Sequence, residues 1–191
     1  PKDKKEHKGF NVIFTGNIGQ AQGLEILPEA AAIIRSEGIC DVRFTIVGDG
    51  RARKSFESSI TEAGVWDLFE FKGRVAATEV PDILSTADVA FISFADDDLF
   101  AKTIPAKLQS YMACAMPIIA SAKGETARII GEAGCGMCSD IGDARALADN
   151  IISMRNLPDT RLTEMGENAY AYNKEHFSKK KLMDEIDVYF R

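Results

Sequence analysis

The sequence predicts an α/β fold: a parallel, doubly wound sheet of about six strands with helices on both faces. Three observations predict it. Strand-type and helix-type segments alternate along the 191 residues. Several strand segments are continuous apolar runs, as in FNVIFTG and DVAFISF, which suits strands covered on both sides. The connections are short, so each strand returns parallel to the last through a right-handed helical crossover.

The elements follow in order. The first strand is 10–16 and a helix runs from Gln22 to about Glu37, its apolar residues at helical spacing. VRFTIVG (42–48) is the second strand, followed through Asp49-Gly50 by a charged amphipathic helix ending near Gly64. LFEFKG (68–73) is the third, with a short helix over 78–86, and DVAFISF (88–94) the fourth. A helix over about 105–114 leads into PIIAS (117–121), and 124–133 is helical. CGMCS (135–139) is a weak sixth strand. The remainder, 143–191, reads as three helical pieces broken near Pro158 and Phe177–Ser178.

Composition narrows the function. With 46% hydrophobic and 27% charged residues the chain reads as one soluble, well-packed domain. A net charge of −6 argues against nucleic acid as the main partner, while leaving room for a small anion site built from backbone N–H groups. No apolar run approaches a membrane span and no signal-peptide pattern opens the chain. PKDKKEHKG (1–9) reads as a linker, and the domain proper as 10–191, an excised C-terminal piece of a larger protein.

Cys40 and Cys114 fall in ordinary α/β elements, which points to a reduced, cytosolic protein. Cys135 and Cys138 have CxxC spacing, but a redox or zinc site would want a helix start or a second ligand pair. His7 and His176 sit near the chain ends, so both cysteines are expected to be small apolar residues of a strand. Asp96, Asp97 and Asp98 invite a metal reading; three adjacent carboxylates do not readily face one ion, and a solvated loop is expected.

In such sheets ligands bind beyond the strand carboxyl ends, where strand order reverses. The loops there are TGNIGQAQG after the first strand, GDG after the second and GRV after the third. Gly16 and Gly19 allow close backbone approach to a ligand. Gly16-x-x-Gly19 is not the GxGxxG dinucleotide fingerprint, and Val47-Gly48 stands where a ribose-binding carboxylate would close the second strand. Both disfavour a nicotinamide-dependent dehydrogenase. Arg74 either stacks on a ligand ring or faces solvent.

Four segments in order, GNIGQAQG, IVGDG, FKGRV and KTIPAKLQSYMACAMPIIAS, resemble the C-terminal domain of retaining GT-B glycosyltransferases, similar to family four. The closing MGENAYAYNKEHFSKKKLMDEIDVYF also fits, so the resemblance covers about Phe10 to Phe190. It implies a Rossmann-like domain that holds a nucleotide-diphosphate sugar, UDP ahead of GDP, with no cofactor and no metal. The donor-binding residues it implies are Gly16, Asn17, Ile18, Gly19, Gln22, Gly48, Gly50, Arg74, Val75, Lys102, Thr103, Ile104, Lys107 and Ser110. Catalytic groups and the acceptor pocket would lie on an N-terminal domain outside this chain, and the piece alone would be inactive. The wording TIPAK and QSYMA is similar to a subgroup that makes bacterial surface polysaccharides, including N-acetylfucosaminyl transferases. That implies a cytoplasmic enzyme, with peripheral membrane association of the full protein.

The departures are specific. The family's Glu-x7-Glu pair falls on Lys102 and Ser110, and its phosphate-binding Arg and Lys on Asn17 and Gln22. Lys102 and Lys107 are expected to restore the lost charge. Ala106 and Ala115 stand where the subgroup has Ser and Gly. A module that keeps the fold and has lost catalysis is the rival that these losses allow. By the same resemblance the closing helix packs on the N-terminal domain through Leu182, Ile186, Tyr189 and Phe190, whose spacing places them on one helical face.

Overall fold

The computed structural model describes residues 9–96 and 103–177. Six parallel strands form one sheet: β1 (Phe10–Thr15), β2 (Val42–Val47), β3 (Phe69–Gly73), β4 (Val89–Ser93), β5 (Ile118–Ser121) and β6 (Gly136–Ser139). Their spatial order is β3-β2-β1-β4-β5-β6, so the chain winds one way from β1 and then reverses at the β1–β4 pair. The helices are α1 (Ile26–Ser36), α2 (Arg53–Glu62), α3 (Val80–Leu84), α4 (Ala106–Ala113), α5 (Glu125–Ala133), α6 (Ala144–Arg155) and α7 (Asp159–His176).

Alternate residues of the central strands feed two separate apolar layers, as the twofold pleat requires. Val12, Phe14, Phe91 and Ile119 pack with α1, α2 and α6 on one face. Ile13, Ala90, Ile92 and Ala120 pack with α3, α4, α5 and α7 on the other. At the amino ends of the central strands a polar clasp sets the register. The Asn11 backbone N–H donates to Asp88 Oδ2 at 2.7 Å, its side-chain amide donates to Thr86 O at 3.0 Å, and its carbonyl accepts from Thr45 at 3.0 Å. Such buried polar groups cost free energy unless partnered, so this arrangement favours one register.

Several boundaries differ from the sequence reading for local reasons. The first helix begins at Ile26 rather than Gln22, because Gln20–Gln22 forms a separate 3₁₀ turn closed by Gly23 in the left-handed conformation. The 78–86 segment likewise splits into a 3₁₀ turn (Ala77–Glu79) and α3. In that turn Glu79 accepts from the Ala76 N–H at 2.8 Å. The third helical piece expected after Ser178, the stripe from Leu182 to Phe190 included, lies outside the described residues.

Candidate functional site

The strand reversal places the carboxyl ends of β1 and β4 side by side, and the loops that leave them build a shallow cleft of about 440 Å³. Thr15, Gly16 and Asn17 supply one wall, Gly48 and Asp49 the floor, and Arg74 and Val75 the far side. The turns interlock through main-chain bonds. The Gly16 N–H donates to Val47 O at 2.8 Å, Ile18 N–H to Asp49 O at 3.0 Å, and Gly48 N–H to Gly73 O at 2.7 Å. Glycine is required at the centre. At Gly48, φ is +130° and a Cβ would lie 1.8 Å from Gly16 O; at Gly50 a Cβ would lie 2.2 Å from Ile18 O.

Asn17 projects from the first turn toward the second, its carboxamide oxygen 2.7 Å from where a Gly50 Cβ would be and its nitrogen 2.7 Å from a Gly19 Cβ. Asp49 is a hub that the sequence reading missed. Oδ1 accepts from the Gly50 N–H at 2.9 Å, and the carboxylate lies 3.8 Å from both Arg53 and Arg74. The Arg74 side chain is 80% exposed at the rim, free to reorient onto a bound ring or stay in water.

Lys107 enters from α4. Its ammonium donates to Gln22 Oε1 at 2.9 Å and sits 3.6 Å above the Phe14 ring. Gly16 makes room for it, since a Cβ there would fall 3.3 Å from Lys107 Cε. Burial pushes the lysine down to about 7. One turn along α4, Tyr111 is fully buried and pushed up to about 12 by desolvation. The Thr15 N–H donates to its phenol oxygen at 2.8 Å, so the tyrosine terminates the β1 ladder. It too was missed; a tyrosine in an apolar helix face gives no signal of its partner. Pro105 offers α4 no side-chain cap, so the first N–H groups of that helix stay available to an anion.

The structure therefore brings Gly16, Asn17, Gly48, Arg74 and Val75 to one cleft, with Gln22 and Lys107 adjoining it through Gly16. Gly19 and Gly50 hold the turns close. Ile18 corrects the sequence reading: it is 0% exposed in the core and its N–H and C=O are both spent on Asp49 and Ala52, so it anchors the turn rather than touching a ligand. Thr103 and Ile104 are exposed ahead of α4, and Ser110 is exposed on it with its hydroxyl donating to Ala106 O at 3.0 Å. Lys102, Asp97 and Asp98 lie outside the described residues, while Asp96 pairs with Lys123 at 2.8 Å. Cys135 is buried in the core and its thiol pushed up to about 11 by desolvation, which marks it as a packing residue.

Residues 1–172 match the family of glycosyl transferases group 1. The chain belongs to that family. A probable glycosyltransferase, WbjE, of Pseudomonas aeruginosa is 34% identical over 75% of this chain and 35% of its own length. The 2-deoxystreptamine glucosyltransferase of Streptomyces kanamyceticus is 26% identical over 80% of this chain and 38% of its own. This glycosyltransferase chain thus spans little more than a third of those relatives. In three dimensions it is similar to Anabaena HepE in complex with UDP (TM-score 0.78, 21% identity, covering 95% of this chain and 48% of that one). It is also similar to a crystallised C-terminal domain of a group 1 family protein from Francisella tularensis (TM-score 0.71, 18% identity, 89% and 87% covered). These likenesses establish the GT-B, Rossmann-like architecture. No helix among the described residues is long and apolar enough to cross a membrane.

Proposed function

We propose that this chain is the donor-binding domain of a retaining glycosyltransferase, and that the cleft at the β1–β4 reversal takes a nucleotide-diphosphate sugar. The observation that carries the reading is the convergence of three glycine-bearing strand-end turns beneath the uncapped start of α4, with a lysine beside them. Main-chain N–H groups and a helix start suit a diphosphate, and Val75 and Arg74 offer an apolar edge and a planar cation to a base. In the full enzyme these groups would stabilise the charge that develops on the departing diphosphate. No metal or cofactor is needed for that role.

Residues 1–9 would then be the link to an N-terminal acceptor domain that supplies the catalytic groups, and the isolated chain would not transfer sugar. A uridine donor is favoured by the titles of similar structures: HepE was solved with UDP-glucose, and TarM of S. aureus with UDP. A role in surface polysaccharide is favoured by relatives named for amylovoran and, putatively, colanic acid biosynthesis. An N-acetylfucosaminyl donor, a cytoplasmic site and peripheral membrane contact are the finer form of the same reading. Amide NMR titration with UDP, GDP and NAD tests it. Shifts at Gly16, Gly48 and Val75 with UDP or GDP, and none with NAD, are expected. Shifts confined to the amino ends of the strands, or none with either diphosphate, would refute it.

A further inference from the structure

We propose that entry of the donor diphosphate draws one proton from solvent onto Lys107, so that donor binding at this site is a proton-coupled step. The inference rests on the donor-site reading above. Its basis is the enclosure of a single amine without a counter-ion. Lys107 Nζ has the face of Phe14 at 3.6 Å and the neutral carbonyl of Gln22 at 2.9 Å, and among the described residues no carboxylate pairs with it. Its wall is uncharged on every side described. β1 (FNVIFT), the Gln20–Gln22 turn and β4 (VAFIS) carry no ionisable side chain, and on α4 the other titratable group is Tyr111, held neutral by burial. The nearby carboxylates are engaged elsewhere, Asp49 with Arg53 and Arg74, and Asp96 with Lys123.

An ammonium in such a place lacks both water and a counter-charge, which favours the neutral amine. Burial accordingly brings the group down to about 7 in the empty site. A diphosphate seated at Gly16 supplies the missing negative charge and restores the ammonium. The family's phosphate-binding residues at the first turn are Asn17 and Gln22 here, and Gln22 instead orients the lysine that arrives from α4. The cation has moved from an exposed turn to a sheltered helix face, and with that move its charge becomes conditional on the ligand.

The test is calorimetric titration of this chain with UDP-glucose and GDP-mannose, repeated in buffers of different ionisation enthalpy. Both ligands carry diphosphate diesters, singly charged per phosphate across the neutral range, so any proton taken up is the protein's. Near pH 8.5, uptake of about one proton per ligand is expected, falling toward zero near pH 6, with affinity dropping roughly tenfold as pH rises across that span. Lys107→Met should bind about tenfold more weakly near pH 6 and take up no proton. Lys107→Arg, permanently charged, should bind without uptake. Binding of a donor with no uptake, or uptake that survives in Lys107→Met, overturns the proposal and leaves the donor site standing. No binding of either donor at millimolar concentration overturns both.

Discussion

The two ends of the sheet carry two concavities of opposite character. At the carboxyl ends lies the shallow cleft of about 440 Å³; at the amino ends, between α3, the end of α4 and the start of α7, lies a larger one of about 770 Å³. The larger is lined by Asp88, Asp159 and Glu167 over an apolar floor of Met116, Pro117 and Leu162. Three carboxylates repel a phosphate, and no helix start faces in with an unclaimed cation. Volume alone would have picked the wrong end. What distinguishes the functional end is backbone: turns packed so closely that side chains are excluded, leaving N–H groups and one lysine for a ligand.

The strongest way to break this comparison is to add a methyl group at each end. Gly48→Ala places a Cβ 1.8 Å from Gly16 O at φ +130°, and Gly166→Ala places one 2.2 Å from Ala115 O where α7 crosses α4. Each should destabilise the fold by about 3 kcal/mol or more in urea unfolding. The two should part company in ligand binding. Under conditions where both remain folded, Gly48→Ala should lose nucleotide affinity and Gly166→Ala should keep it. Equal loss in both would mean that the carboxyl-end turns have no special role.

Tyr111→Phe probes how the functional end is held. The phenol oxygen accepts from the Thr15 N–H at 2.8 Å in a fully buried setting, so its removal orphans a backbone donor. A cost of about 1–3 kcal/mol is expected, with faster amide exchange at Thr15 and Gly16 as its signature. Unchanged exchange at those amides would show that the tyrosine is only a space-filler.

The difference between the two ends also explains what the sequence could reveal. Strand runs such as VAFIS and the order of the glycine turns were legible because local patterning and main-chain geometry set them. Asp49 and Tyr111 were not, because each acts through a partner far away in sequence or in the next turn. Tyr111 meets Thr15 across 96 positions. Ile18 was misassigned for the converse reason: it sits inside a glycine-rich loop, yet its side chain turns into the core. Lys107 was legible as a charge near the loop, but its contact with Gln22 across 85 positions was visible only in the fold.

Lys107→Met sharpens the electrostatic side of the comparison. The folded lysine is down at about 7 against an ordinary value of 10.5, so burial of its charge penalises the folded state fully below the lower value. Between the two values the unfolded chain binds more protons, and the parent's stability therefore rises with pH. Replacing the amine by a thioether of similar length should stabilise the fold by about 2 kcal/mol near pH 6, and the gain should fade toward pH 10.5. A gain that is flat with pH would mean that the amine is well solvated.

The smallest effect belongs to the amino end and tests whether that end is tuned for stability or tolerates strain. Ala115 follows α4 at φ +57°, where its N–H donates to Met112 O at 3.0 Å and the next N–H, of Met116, reaches Tyr111 O at 3.1 Å. That is the left-handed helix stop at which a Cβ crowds the following carbonyl, which accounts for the glycine common at this position in similar chains. Ala115→Gly relieves the crowding and adds freedom to the unfolded chain, two effects of opposite sign. The relief should prevail by roughly 0.5–1 kcal/mol, raising the urea midpoint without changing its slope. Nucleotide affinity should not move, because the substitution lies at the far end of the sheet from Gly16 and Lys107. A fall in stability would mean that Ala115 is held unstrained by Gly166 and the α4–α7 crossing. A shift in affinity would mean that α4 transmits a change at its last turn to its first.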